Sequence, residues 1–260
     1  MSAFPIYQVD AFASRVFAGN PAAVCPLEEW LDDALMQAIA AENNLSETAF
    51  FVRQGERYQL RWFTPLTEVD LCGHATLASA FVIFGDLETE RTSVTFATHS
   101  GDLIVTRAGE LLTMDFPSIA TTPCDAPAAL LAGLGCEPLE VRQGMDYLVV
   151  VQDEATVRAL QPRMQHLLQL DTRGIIVTAR GDQADFVSRF FAPAAGVPED
   201  PVTGSAHCTL TPYWAARLEK SRLHALQVSR RGGELFCEDA GARVRIAGRA
   251  VKYLQGTIVL

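Results

Sequence analysis

Two stretches decide how this chain reads. The first is Arg61-Trp62-Phe63-Thr64-Pro65, running on to Asp70-Leu71-Cys72-Gly73-His74-Ala75. The second is Arg189-Phe190-Phe191-Ala192-Pro193, running on to Glu199-Asp200-Pro201-Val202-Thr203-Gly204-Ser205-Ala206, and it starts 128 residues later. Each passes from an aromatic strand through an acidic loop to a glycine and then to a run of small residues. From proline to glycine is 8 residues in one copy and 11 in the other. Similarity that continues from strand through loop into helix reads as one strand–loop–helix unit used twice. Each helix should open near its glycine, where a backbone or a ligand can approach closely.

Outward from these copies the chain is rich in strands and poor in helices. Strands are expected at 6–12, 22–25, 48–52, 58–63, 94–96, 103–106 and 111–116. Helices are expected at 28–42, where Trp30, Leu31, Leu35, Ile39 and Ala40 recur at helical steps, and at 75–84. The second is almost wholly apolar and so must be surrounded by protein. Turn residues crowd positions 117–123 and mark a boundary. Beyond it, helices are expected at 128–134, 157–168 and 206–218, the second interrupted by Pro162. Strands follow at 147–151, 174–178 and 186–191, then strands and turns over 226–258. This order lacks the regular βαβ alternation of a doubly wound sheet and points to an α+β fold.

With 21 Lys+Arg against 31 Asp+Glu, the chain carries a formal charge of −10. A broad basic face for nucleic acid is therefore not expected. A small anion held at a helix start remains compatible with that charge. The apolar runs are too short to cross a bilayer and the start of the sequence has no basic-then-apolar leader, so a cytoplasmic location without membrane contact is expected. The six cysteines are at least 12 residues apart. No CxxC redox or zinc pattern arises, and reduced thiols are expected. Dinucleotide, P-loop, zinc-protease and nucleophile-elbow motifs are missing from the sequence, so neither a cofactor nor a metal is expected.

The residues suited to chemistry are few. Glu47, in Asn44-Leu45-Ser46-Glu47-Thr48-Ala49-Phe50, sits where a turn enters an apolar strand. A carboxylate at such a mouth can have its pKa raised by desolvation and exchange protons near neutrality; alternatively it is an exposed edge acid. His74 opens an apolar helix, as a proton-exchanging imidazole or as a cap for backbone groups. Asp200 precedes a proline, which is ordinary turn chemistry, but also a Gly204–Ser205 anion nest. Cys72 precedes a helix start that can lower a thiol pKa. Cys208 lies deeper in its helix and reads as packing, and His207 as a first-turn residue that can face the core.

These residues, with Val9-Asp10-Ala11-Phe12 and Phe17-Ala18-Gly19-Asn20-Pro21-Ala22-Ala23-Val24, resemble the phenazine-biosynthesis PhzF-like isomerase and epimerase family. The matching stretches run in order over most of the chain. The resemblance implies a diaminopimelate-epimerase-like fold. That fold has two pseudo-duplicated domains, each a mixed, mostly antiparallel barrel-like sheet around a central helix, with the active site between them. Residues 1–116 would form the N-terminal domain, completed by a strand at 251–260, and residues 124–249 the C-terminal domain. The resemblance also implies a homodimer.

The chemistry it implies is a cofactor-independent proton shift on a small carboxylate-bearing metabolite; in the phenazine enzyme this is a dihydro-hydroxyanthranilate. The family's catalytic glutamate, histidine and aspartate fall on Glu47, His74 and Asp200. Substrate binding falls on the Gly73 backbone N–H and on Gly204 and Ser205. The related amino-acid epimerases use two cysteines at the two helix starts, whereas this chain has Cys72-Gly73 in one loop and Asp200-Pro201 in the other. That departure favours a glutamate-centred route over a thiol pair. The alternatives are an amino-acid racemase or epimerase, in which Cys72 acts, and a non-catalytic small-acid binding protein.

Overall fold

The computed structural model describes residues 3–260. They form two compact units, one of residues up to Asp115 together with Ala247–Leu260, the other Phe116–Ile246. The first half of the chain contains β1 (Ala3–Ala11), β2 (Asn20–Leu27), α1 (Asp33–Asn43), β3 (Glu47–Gln54), β4 (Arg57–Phe63) and β5 (Glu68–Val69). It continues with α2 (Gly73–Val82), β6 (Ser93–Thr98), β7 (Gly101–Ala108) and β8 (Leu111–Pro117). Then come β9 (Thr122–Pro123), α3 (Ala128–Leu134), β10 (Glu140–Gln143), β11 (Tyr147–Val150), α4 (Glu154–Ala159), α5 (Met164–Leu167) and β12 (Ile175–Arg180). The last elements are β13 (Phe186–Ala192), β14 (Val197–Asp200), α6 (Gly204–Leu218), β15 (Arg222–Gln227), β16 (Gly233–Ala240), β17 (Arg243–Gly248) and β18 (Ala250–Val259).

The duplication read from two short stretches extends through the strand pairing. In the first unit β1–β2 is antiparallel, β2–β3 parallel, β3–β4 and β4–β5 antiparallel, β4–β6 parallel and β6–β7 antiparallel. In the second, β10–β11 is antiparallel, β11–β12 parallel, β12–β13 and β13–β14 antiparallel, β13–β15 parallel and β15–β16 antiparallel. Each unit is thus a mixed, mostly antiparallel sheet, and the class is α+β. The final strand β18 runs antiparallel to β1 and belongs to the first unit.

The repeated arginines show why the copies fold alike. Arg61 forks onto Glu68 with Nε and Nη2 both at 2.7 Å, and Arg189 forks onto Glu199 at 2.7 and 3.0 Å. Each guanidinium also lies over the aromatic ring two residues on, Phe63 at 5.2 Å and Phe191 at 5.0 Å. A bidentate ion pair with a stacked ring pins the acidic loop to the strand that precedes it.

α2 and α6 carry the chain from these loops. α2 packs on β1, β2, β3 and β18, and α6 on β15 and β16. In α2, Thr76 and Ser79 are buried, and their hydroxyls donate to Cys72 O at 2.6 Å and Ala75 O at 2.8 Å. Bonding back to its own turn lets a polar side chain sit inside an enclosed helix. α6 tolerates Pro212 because Cys208 O, which the proline cannot serve, accepts from Ile119 N at 3.1 Å.

Several helix bounds differ from the sequence reading. The helix expected at 28–42 starts only at Asp33, because the Asp32 carboxylate caps Ala34 N at 2.9 Å. Trp30, outside the helix, is held by its indole N–H on Gln59. The helix expected at 157–168 is two short helices, Glu154–Ala159 and Met164–Leu167. Leu160 turns extended two residues before Pro162, and Arg163 N leaves the helical pattern to donate to Gly133 O. The central helices begin two residues earlier than expected, at Gly73 and Gly204 themselves. No helix among the described residues is long and apolar enough to cross a membrane.

Candidate active site

Asn20 opens β2 and Glu47 opens β3, and these strands are parallel with Ala22 opposite Glu47. Parallel pairing brings the two strand starts to one end of the sheet, where α2 packs on both strands. Gly19 delivers the chain to Asn20 with φ +66°, and a Cβ there would lie 2.1 Å from Ala11 O, so only glycine fits.

His74 is the centre of this cluster and is only 6% exposed. Its Nε2 lies 3.0 Å from Glu47 Oε2, an ion pair when the ring is protonated. On the other side, Nδ1 faces the Asn20 amide at 3.2 Å and Cys72 Sγ at 3.5 Å. An amide offers N–H or, turned over, C=O, and a thiol can donate or accept. The ring can therefore gain or lose a proton without leaving Nδ1 unsatisfied. Burial opposes charge on His74, but its contacts with Cys72 Sγ and the Glu47 carboxylate outweigh that cost and hold its pKa well above the ordinary value. Glu47 Oε1 has no protein partner among the described residues, and the Glu47 side chain remains 19% exposed.

Cys72 corrects an expectation. Its helix position was expected to lower the thiol pKa, but burial, with the Glu47 carboxylate adding to it, pushes the thiol up to about 11. At neutral pH this is a protonated thiol beside His74, not a nucleophile or a base. Glu47, Cys72 and His74 present ligand atoms within 4.8 Å of one another, an O/S/N set that suits zinc. The imidazole stands between the other two, with one nitrogen toward each. That arrangement suits proton movement along the ring better than convergence of three donors on one ion.

The other predicted residues lie in the second unit. Asp200 ends β14, and its Oδ2 accepts from Thr203 Oγ1 at 2.5 Å. Gln227, which the sequence reading missed, donates to Asp200 O at 2.8 Å and accepts from Thr203 N at 2.9 Å, fixing the approach to α6. Gly204 and Ser205 form the first turn of α6, and Ser205 Oγ accepts from Arg173 Nη1 at 3.1 Å. Neither helix start has a side-chain cap, at Cys72 for α2 or at Thr203 for α6. Each start thus leaves backbone N–H groups to be met from outside the helix.

His207 faces the core, fully buried, with Nδ1 donating to Thr203 O at 2.8 Å, and burial lowers its pKa to about 4. Cys208 Sγ turns back to Gly204 O, and burial pushes its thiol up to about 12. Asn20 was also missed, because Gly19-Asn20-Pro21 reads as turn chemistry until β2 is seen to start at Asn20 itself.

A family model described as Phenazine biosynthesis-like protein matches residues 9–256. An uncharacterized isomerase of Pseudomonas aeruginosa is 56% identical over 255 residues, covering 98% of each chain. The crystal structure of a phenazine biosynthesis protein of the PhzF family from Enterococcus faecalis is 49% identical, covers 100% of both chains and superposes with a TM-score of 0.98. A hydroxyproline epimerase from Agrobacterium vitis, 11% identical, covers 98% of this chain and 92% of its own with a TM-score of 0.61. That last likeness is one of fold.

Proposed function

Because this chain belongs to the phenazine biosynthesis-like family and is an isomerase, we propose that it moves a proton between two carbons of a small carboxylate-bearing metabolite, with Glu47 as the base. The observation that carries this reading is the Glu47–His74 pair, in which Oε2 and Nε2 are 3.0 Å apart while the Glu47 side chain stays partly exposed. A carboxylate paired with a buried imidazole and still open to a ligand is a common arrangement for proton exchange.

The division of labour follows from which atoms are engaged. His74 Nε2 holds Glu47 Oε2, so Oε1 faces the carbon-bound hydrogen. Glu47 takes that proton, the substrate's electron pair shifts along its conjugated framework, and the protonated Glu47 returns the proton to a second carbon. His74 steadies the carboxylate before transfer and the carboxylic acid after it. The Gly73, Gly204 and Ser205 helix starts supply donors to developing negative charge, and Asp200 fixes a polar group of the substrate. Side chains supply every proton-transferring group, so the route is cofactor-independent. The test is a pool of small carboxylic acids incubated with the protein in heavy water and read by mass spectrometry. A compound that gains carbon-bound deuterium and changes retention identifies the substrate.

Thiol-based racemisation is the weaker reading, since Cys72 and Cys208 are both buried with raised pKa values. We also place the protein in the cytoplasm, where its free cysteines stay reduced, and propose that it acts as a homodimer. β18 runs antiparallel to β1, and Tyr253, Leu254, Val259 and neighbouring Phe17 are exposed along it. An exposed apolar strand is a ready surface for a second copy, which sedimentation equilibrium tests directly.

A further inference from the structure

The duplication allows the candidate active site to be mapped from one unit onto the other. In the first unit Thr48 pairs with Phe63, and in the second Ile175 pairs with Phe191. Phe63 and Phe191 are the matching residues of the repeat. One step back along each strand, Glu47 corresponds to Gly174. Likewise the Cys72-Gly73-His74 helix start corresponds to Thr203-Gly204-Ser205. Where the first unit holds a glutamate and a histidine, the second holds a glycine and a serine.

The address is filled by the preceding residue, Arg173. Its Nε donates to Asp146 Oδ1 at 2.9 Å and its Nη2 to Asp146 Oδ2, while Nη1 donates to Ser205 Oγ at 3.1 Å. The guanidinium lies over the Phe190 ring, 5.5 Å from its centroid. Asp146 is 2% exposed and Arg173 40% exposed. Gly174 leaves the room this requires, since a Cβ there would lie 2.3 Å from Phe190 Cζ and 3.2 Å from Asp146 Oδ1.

A guanidinium carries five N–H donors. Three are engaged here, and among the described residues no further acceptor meets the other two. A buried aspartate and a stacked ring fix the plane of the group, its outer edge stays in solvent, and a helix-start hydroxyl sits beside it. Planar donors fixed in this way match a carboxylate, which can accept two of them at once. A purely structural ion pair has no need of an arginine left half exposed with donors remaining.

We propose that Arg173, braced by Asp146, is the anchor for the substrate's carboxylate, with Ser205 as its co-donor. The identity of that ligand as the substrate rests on the function proposed above; the anchor itself is a property of the second unit. Nothing in the sequence motifs singles out Arg173, because it falls in a turn one residue before the position that corresponds to Glu47.

Calorimetric titration of the full chain with 2-aminobenzoate and with 2-aminobenzamide tests this, since the two probes differ in the carboxylate alone. Wild type should bind the acid at least about tenfold more tightly than the amide, the scale of one charge-assisted hydrogen bond. Arg173→Gln should bring the two within about threefold, with Arg173→Lys intermediate because it keeps charge but loses the fork. No preference for the acid in wild type, or an undiminished preference in a folded Arg173→Gln, overturns the proposal. If Arg173→Gln fails to fold, Arg173→Lys carries the test, and an unchanged preference there overturns it equally. Glu47→Gln should keep the preference. Proton exchange unchanged in Glu47→Gln would therefore sink the base without touching the anchor, and no preference for the acid in wild type would sink the anchor alone.

Discussion

Gly174 occupies in the second unit the strand position that Glu47 occupies in the first, and its missing side chain is where Phe190 and Asp146 pack. The copies share a scaffold but differ at this position, with the Glu47 carboxylate on one and a braced arginine on the other. A methyl group at Gly174 must displace the Phe190 ring. Gly174→Ala should destabilise the protein by about 1–3 kcal/mol, the usual cost of overpacking. Thermal melting checks this, and an unchanged melting temperature would show that the ring moves freely.

Gly19→Ala should cost more than a loop substitution normally does. It combines a left-handed backbone with a Cβ 2.1 Å from the Ala11 carbonyl oxygen, which is backbone and cannot swing aside. A loss of about 2–4 kcal/mol is expected from left-handed strain and overpacking together. Because Gly19 positions Asn20, any folded fraction should also show reduced exchange activity.

The thiols should divide by burial. Cys25, Cys72, Cys208 and Cys237 are buried, while Cys124 and Cys136 are partly exposed. Burial pushes Cys25, Cys208 and Cys237 up to about 12 and, with Glu47, Cys72 up to about 11. In the native protein at pH 8 a disulfide reagent should therefore modify Cys124 and Cys136 alone, and all six in denaturant. Cys72→Ala should keep activity within about tenfold, the loss expected of one neighbouring hydrogen bond. Abolition of activity by that variant would instead favour the thiol route.

Two histidines predict opposite pH dependences in separate windows. Burial lowers the His207 pKa from 6.5 to about 4. The unfolded chain therefore binds the extra proton first as pH falls. Stability from this residue is full above 6.5 and declines toward pH 4 by about 3 kcal/mol. His74 is shifted upward despite its burial, through Cys72 and Glu47, so its contribution is full below 6.5 and is lost as pH rises through its folded value. Denaturant melts across pH should show both limbs. His207→Phe, though less stable overall, should flatten the acid limb, and Glu47→Gln should reduce the alkaline one.

Much of this was legible in the sequence because it depends on local pattern. The Arg-x-aromatic strands, the acidic loops and the glycine-opened helices are short-range features, and they marked the duplication and both central helices. Glu47 and His74 were visible as polar residues where apolar elements begin. What pattern could not supply was pairing across distance. Asn20 and Glu47 meet because β2 and β3 are parallel, and Arg173 meets Ser205 because β12 starts beside α6. Cys72 was misjudged because a helix start argues for a low thiol pKa, whereas enclosure by the sheet and the Glu47 carboxylate decides the outcome. The break at Pro162 was visible as a proline, but its consequence, two helices instead of one, depended on Arg163 finding Gly133.

If Glu47 carries the proton, its removal must stop solvent hydrogen from reaching the reacting carbon. With the substrate found by the heavy-water screen, carbon-bound deuterium incorporation is measured for wild type and Glu47→Gln, each shown to be folded by thermal melting. Wild type should incorporate deuterium rapidly and the variant should lose at least about a hundredfold, the range of a single general base. Equal incorporation by the two proteins would contradict that role of Glu47.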